Sequence, residues 1–420
     1  MKNFLFKQRL SVVFAGSLML FPSALLAKTT LNEILQHAFV ADPTLDEAKA
    51  NIEMAKSQTK VSEAGHLPIV SVTNTSVASQ YHRDTSNRRS GPGVNARLNL
   101  YAWGGIEAEI ERDKHREGYY QHKLTETREV MGQQIGQLYL TALRAKDMIA
   151  VYQESLQRHN KILKDLTVIA GYDEGRAFEV NEALSRKNQV ESSILIQQRI
   201  MHSALNQLRR YTKGKLTEKD LVDPFEKINV STFINRFHNP ALEQNPTYLA
   251  QQEESASAKA AVKAAKARQL PAINLEGTAS RHNHEVYINM SWDIYNPAAK
   301  YSEQQSYYSQ KAAEAKLREI ELNIQERALT SEADMLRNQQ LMTVTRKQIG
   351  LQRNVVKDNE LQFEVAARSL INLLDSYQDL TSVQITEVTA RNDFRDAALL
   401  YLASQARISQ WAGNKSAVKF

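Results

Sequence analysis

The sequence EVYINMSWDIYNP, residues 285–297, alternates apolar and polar residues along its length. One face carries the apolar side chains of Val286, Ile288, Met290, Trp292 and Ile294. Successive side chains of a β-strand point to opposite faces, so the pattern predicts a strand with one apolar face. The sequence around it has the longer period of helices. What this apolar face packs against therefore decides the fold.

Three more segments are predicted as strands, and they form pairs with short connections. Segments 93–103 and 271–283 alternate apolar and polar residues, whereas 68–81 does so less clearly. Together with 285–295 they make two hairpins, and each strand has about the length of a tilted span through a bilayer. Aromatic residues, which favour the membrane interface, stand at or near the strand ends: Tyr81, Tyr101, Trp103, Trp292 and Tyr295.

Four strands cannot close a membrane barrel, because the smallest such barrels need about eight. An open sheet edge in lipid leaves backbone groups unpaired, at a cost of several kcal/mol for each group. If the strands span a membrane, several chains must share one barrel. The alternative is a soluble four-stranded sheet whose apolar face packs on the helices.

The N-terminus has the pattern of a signal peptide over residues 1–27. A basic start with Lys2, Lys7 and Arg9 precedes an apolar run that ends at a small residue, Ala27. Without these three basic residues the formal charge falls from +6 to +3, which does not indicate a nucleic-acid partner. The chain has no cysteine, so its fold does not depend on disulfides.

The chain is built from two similar halves. Pro43 and Pro246 differ by 203 positions, as do Leu67 and Leu270. A constant offset across such a span indicates an internal duplication. We predict a first repeat at 28–211, a linker at 212–239, a second repeat at 240–412 and a C-terminal tail at 413–420. Each repeat is expected to run as a helix (31–65; 240–268), a hairpin, a very long helix, a break and a further helix.

The long helical stretches carry heptads of apolar residues. One row steps by four and three from Met131 to Leu166, and a less regular row runs from Ile324 to Val356. Residues 104–168 as one helix would be about 95 Å long, far longer than a globular domain needs. The heptads alone are also compatible with an ordinary coiled-coil stalk.

This organisation resembles the TolC family of outer-membrane channel-tunnels over nearly all of the chain after residue 27. The similarity is most specific in LNLYAWGGIEAEIERDK (98–114), GYDEGRAFEVNEAL (171–184) and FEVAARSLINLLDSYQDL (363–380). The resemblance implies a mainly α protein with a membrane β-barrel. Three protomers would contribute four strands each to one twelve-stranded barrel, continuous with a periplasmic barrel of long coiled-coil helices. The apolar face of 285–297 would then contact lipid.

The resemblance also implies a gate at the periplasmic tips, near 165–182 and 357–375. Arg368 matches the Arg that holds the gate closed, and Asp375 matches one of two acids in a ring that narrows the pore. Asn372 replaces the second acid, Ala366 and Ala367 replace a Gly-Thr pair, and Phe363 replaces an aromatic residue with a hydroxyl group. Arg176 is the first-repeat counterpart of Arg368. The predicted gate residues are thus Arg176, Phe363, Arg368, Asn372 and Asp375.

By the same resemblance, the expected function is a passive outer-membrane exit duct without enzymatic activity or cofactor. Its partners would be two further copies of the chain, outer-membrane lipid, a periplasmic adaptor protein and an inner-membrane ABC transporter. The motifs at 98–114 and 171–184 most resemble members that serve type I secretion of large adhesins or repeat toxins. The alternatives are the duct of a multidrug efflux pump, with a proton-driven partner, and a soluble periplasmic coiled-coil scaffold.

His282 and His284 in HNHE fit an exposed turn better than a metal site.

Overall fold

The computed structural model describes residues 30–76, 91–212, 216–239, 242–281 and 284–413. The predicted signal peptide, the interface residue Tyr81, His282 and the tail after residue 413 lie outside these described residues. None of the described helices combines the length and the apolar character that are needed to cross a membrane.

The elements form two series of the same kind. The first consists of α1 (Leu31–Ala41), α2 (Pro43–Glu63), β1 (Ile69–Thr75), β2 (Gly91–Tyr101), α3 (Gly105–Tyr172) and α4 (Ala177–Leu208). After α5 (Val230–Phe237), the second consists of α6 (Pro246–Ala267), β3 (Ala272–Ser280), β4 (His284–Ser291), α7 (Pro297–Glu364) and α8 (Leu370–Ser404), followed by α9 (Ile408–Gly413). The long helices α3 and α7 have 68 residues each, which corresponds to about 102 Å.

The single helix expected over 31–65 is wrong, because the chain breaks at Asp42. That residue is extended, with ψ 128°, and its side chain caps α2 by accepting from the backbone N–H of Thr44. The break follows from Pro43, which disfavours helical geometry in the residue before it and fits the first turn of a new helix. Asn245 and Pro246 start α6 in the same way, later than the predicted residue 240.

The four strands form one antiparallel sheet in the order β1-β2-β3-β4. Its register places Val70 opposite Ala96 and Val72 opposite Val94, which settles the unclear pattern of the first strand. Strand β4 ends at Ser291, earlier than expected, because Asn296 caps α7 and Pro297 begins it. The apolar face of the sheet carries Val70, Val72, Val94, Leu98, Leu275, Val286, Ile288 and Met290.

The helices repeat the order of the strands. Next to the sheet, α3 packs between α2 and α6, and α7 packs on the far side of α6. Farther from the sheet, α3 packs between α4 and α8, and α7 lies on the far side of α8. The protomer is therefore an open layer, with α2 and α4 at one edge and α7 at the other.

Two apolar clusters hold this layer together. The larger one lies midway along the long helices, where Ile135, Leu399 and Trp411 meet α5 and the segment between the repeats. The smaller one lies near the end of α3 and the start of α8, around Leu166 and Leu373. The expected fold class, mainly helical with a four-stranded sheet, is confirmed.

Candidate channel gate and membrane surface

The two helical tips are tight turns with different chemistry. At the first tip, the side chain of Asp173 accepts from the backbone N–H of Gly175. At the second, Ala366 adopts a left-handed backbone with φ 56°, and the N–H of Ala367 closes the turn on the carbonyl of Gln362. Glycine takes this conformation without steric cost, whereas alanine loses about 1 kcal/mol or more. Ser369 then caps α8 by accepting from the N–H of Asn372.

Arg176 joins the two tips. Its guanidinium forms a 2.7 Å ion pair with Glu179 of α4, and its Cζ lies 5.9 Å from the centre of the Phe363 ring. The cation–π contact places two of the predicted gate residues together across the turns. A cavity of about 380 Å³ lies between the tips, lined by Arg176, Phe363, Lys161, Asp165, Glu360, Glu364 and Tyr377 among others.

Arg368, the residue expected to hold the gate, contacts its own hairpin in this structure. Its Nε donates to Oε1 of Gln362 at 2.8 Å, and the side chain is exposed. The contact ties the end of α7 to the start of α8. It does not cross to α3 or α4; the contact between the two tips is made instead by Arg176, which lies between α3 and α4 and meets Phe363 of α7.

Asp375 and Asn372 lie on the exposed face of α8. The carboxylate of Asp375 is 3.7 Å from Nη2 of Arg186 in α4. Arg186 was not among the residues predicted from sequence, and its spacing carries no signal for this role, because the pair depends on how α4 lies beside α8.

Behind the tips, the packing is polar and titratable. Burial and a 2.7 Å hydrogen bond from its hydroxyl to Glu360 raise the pKa of Tyr377. Burial lowers the pKa of His159, whose ring meets that of Tyr377 edge to face, and of Arg158, whose guanidinium lies over the same ring. Among the described residues, no three His, Cys, Asp or Glu side chains lie close enough together to hold a metal ion.

At the end of the sheet where the long helices begin, aromatic side chains form a band. The indole N–H of Trp103 donates to the carbonyl of Pro271, and that of Trp292 donates to the carbonyl of Gln269. Tyr101 stacks edge to face on Trp103, and Tyr295 is exposed in the segment that leads from β4 to α7. Three of the predicted interface residues, Tyr101, Trp103 and Trp292, thus share one level of the molecule.

The two faces of the sheet differ in polarity, and both are open. On the polar face, Arg97 stands opposite Glu276, which accepts from the hydroxyl of Tyr287 at 3.0 Å. On the apolar face, Val72 is 79% exposed and Ile288 is 67% exposed. The soluble-scaffold alternative required this face to pack on the helices, and in the protomer it does not.

Such a molecule, an open layer of long helices continuous with a four-stranded sheet, has the fold of one subunit of a TolC-like outer-membrane channel. Solved channels share it: VceC of Vibrio cholerae (14% identity, TM-score 0.73) covers 90% of this chain and 96% of its own. The alignment with CmeC of Campylobacter jejuni (13% identity, TM-score 0.74) covers 90% of this chain and 85% of CmeC. The alignment with MtrE of Neisseria gonorrhoeae (13% identity, TM-score 0.69) covers 90% of this chain and 88% of MtrE.

The profile of the family described as "Outer membrane efflux protein" matches residues 34–213. Comparison with curated protein sequences gives no significant match. This match covers nearly the whole first repeat but less than half of the chain, which is thus similar to that family there, in line with the resemblance noted in its sequence.

Proposed function

We propose that three copies of this protein close into the outer-membrane exit duct of a tripartite export machine, without catalytic activity. One observation carries the proposal. The sheet and the helical layer are open at corresponding edges, with β1 and α2 on one side and β4 and α7 on the other. Joining α7 of one copy to α2 and α4 of the next, and β4 to β1, closes both layers by a single rotation.

The helical edges carry the apolar residues that such a closure needs. Along α7, Leu322, Leu329 and Leu336 recur every seven residues and are 66%, 67% and 46% exposed. Along α2, Met54 and Val61 are also seven residues apart and exposed. A seven-residue apolar repeat is the pattern of a helix with a coiled-coil neighbour, and a second copy of the chain supplies one.

Three sheets joined in this way make a barrel of twelve strands with no free edge. The apolar face with Val72 and Ile288 would contact lipid, and the polar face with Arg97 and Glu276 would line a water-filled lumen. Trp103, Trp292, Tyr101 and Tyr295 would lie at the periplasmic surface of the membrane.

The gate is proposed at the opposite end, at the tips formed by Arg176, Phe363, Arg368, Asn372 and Asp375. The same end would dock onto a periplasmic adaptor and, through it, onto an energised inner-membrane transporter. The bond from Arg368 to Gln362 stabilises the second tip. Arg368→Ser is therefore expected to loosen that tip and to raise single-channel conductance in planar bilayers, whereas unchanged conductance would contradict a gating role.

For the cargo, we favour type I secretion of a large protein through an ABC transporter. The support is the similarity of LYAWGGIEAEIERD (100–113) and AGYDEGRAFEVNEA (170–183) to members with that role. Multidrug efflux is the second candidate, because the description of the matching family names efflux proteins.

Two experiments test the proposal. The detergent-solubilised protein should have the mass of a trimer, and Leu329→Glu should reduce trimer recovery. Thr330→Glu, which adds the same charge at the next, exposed position of α7 but about 100° away around the helix, is its control. A stable water-soluble monomer would contradict the duct.

Mass spectrometry of surface and secreted proteins, with and without the gene, then separates the cargo classes. Loss of one very large protein supports type I secretion, and an unchanged set favours efflux.

A further inference from the structure

We infer that Arg186 is a gate residue that ties α4 to α8 through Asp375 and sets the charge preference of the duct at its periplasmic mouth. The inference rests on the proposed channel function and assigns it a residue that the sequence did not single out. The contact is 3.7 Å from Nη2 of Arg186 to Oδ1 of Asp375. Arg186 is itself positioned by a hydrogen bond from its Nε to Glu182, one turn earlier on α4, at 3.2 Å.

The pair lies where the two hairpins must separate if the tip widens. Helix α4 belongs to the first-repeat hairpin, and α8 belongs to the second. At the tip itself, the hairpins meet through Arg176 and Phe363. Deeper in, α3 and α8 are joined by a 2.7 Å bond from Gln384 to Glu154. Between these two levels, the Arg186–Asp375 pair links α4 directly to α8, so an outward movement of α8 has to break it.

The same pair controls the charge at the mouth. Asp375 is 57% exposed and Arg186 is 34% exposed, so water screens the pair and its bond is weak. A weak link suits a gate that has to open. Each Arg186 nevertheless offsets one Asp375 carboxylate. Asp379, one turn along the exposed face of α8, has no ion pair among the described residues.

Substitutions of Arg186 and of Asp375 should change the ion selectivity of the channel in opposite directions. Both should change the opening of the channel in the same direction. Arg186→Gln removes the positive charge beside the Asp375 carboxylate and should raise the cation-to-anion permeability ratio by about twofold or more. Asp375→Asn should lower that ratio. Both substitutions break the link, so both should increase the time that the channel spends in its more conducting state. The exchange R186D with D375R restores the pair and should return the opening behaviour toward that of the wild type.

The test is a planar-bilayer recording of the purified protein in 0.1 M and in 1 M KCl, with reversal potentials measured under a salt gradient. The selectivity change should shrink at high salt, because the screening length falls from about 10 Å to about 3 Å. Lys187→Gln is the matched control. It removes the same charge at the next position, but Lys187 pairs within α4, with Glu191 at 3.4 Å.

If Arg186→Gln and Lys187→Gln behave alike while the wild type conducts, the inference is overturned and the duct proposal stands. If the wild type forms no channel at all, the proposed function itself fails. A permeability ratio that moves without any change in opening would leave Arg186 as a selectivity residue and overturn its role as a link.

Discussion

Arg395 of α8 forms a 2.8 Å ion pair with Asp223, which belongs to the segment between the two repeats. The other side of its guanidinium lies 2.8 Å from Asp147 of α3, and the side chain is only 2% exposed. Burial alone would lower the pKa of Arg395, but the two carboxylates outweigh it and raise the pKa. One buried cation thus fastens both repeats to the linking segment.

Replacing this cation should destabilise the middle of the molecule. Arg395→Met leaves Asp223 without its cation and Asp147 with only the 3.7 Å contact to Arg391, for which we expect a loss of about 3–5 kcal/mol in the free energy of unfolding. Trp411, buried and stacked on Phe225 nearby, reports the transition in a W103F/W292F background during urea titration. Arg391→Met is the control. Arg391 is 30% exposed, with ion pairs of 3.4 and 3.7 Å, and should cost less than about 1 kcal/mol. Equal losses would contradict the role of Arg395.

Stability should also depend on pH through Asp396. Burial, reinforced by the neighbouring Asp393, raises the pKa of Asp396 to about 6 from 3.8, although Arg144 and Arg395 oppose the shift. The folded protein therefore binds this proton more tightly than the unfolded chain does, and stability falls as pH rises from about 4 to about 6. Asp396→Asn mimics the protonated form. Its urea midpoint should match the wild type near pH 4 and exceed it above pH 6. A constant difference across this range would contradict the prediction.

The contact between α3 and α8 leaves no room at Gly136. A Cβ atom at this position would lie 2.7 Å from Cδ2 and 2.8 Å from Cδ1 of Leu399, whose side chain is fully buried. Gly136→Ala should cost about 1–3 kcal/mol by overpacking. Gly171→Ala is the counterpart in the same helix, with nothing within 4 Å of the added carbon. It should be neutral or stabilise by up to about 1 kcal/mol. Thermal unfolding in detergent compares the two, and a destabilised Gly171→Ala would contradict this account.

Two neighbouring residues of β4 should respond differently to the same substitution. Ile288 lies on the apolar face, and Asn289 lies on the polar face, where its amide donates to Glu276 at 3.3 Å. Ile288→Lys would place a charge in lipid, at about 2–4 kcal/mol near the bilayer centre. Asn289→Lys keeps its side chain in water beside a carboxylate. The amount of folded trimer extracted from outer membranes should fall for the first variant only. Equal recovery would show that this face does not contact lipid.

The position of the membrane surface can be measured with the three tryptophans. Trp103 and Trp292 are 45% and 55% exposed in the aromatic band, whereas Trp411 is 3% exposed in the central cluster. In vesicles of brominated lipid, variants that retain only Trp103 or only Trp292 should lose most of their fluorescence. A variant with Trp411 alone should keep its emission. Quenching of all three, or of none, would contradict the proposed position.

Much of the architecture was readable from local patterns. Alternation in 285–297 predicted a strand because a pleated backbone sends neighbouring side chains to opposite faces. The heptads predicted very long helices, but the break before Pro43 was missed, because the helical periodicity continues across it. Where the prediction of strand ends failed, as at Ser291, the cause was a cap and a proline a few residues further on.

The chain by itself therefore determined the duplication, the fold class and the apolar face of the strands, because these depend on residue spacing along one element. Only the tertiary structure decided which charges meet. Arg186 reaches Asp375, Arg395 reaches Asp147 and Asp223, and Arg176 rather than Arg368 crosses between the tips. These partners stand on different elements, far apart in sequence, and their distances follow from how the helices pack.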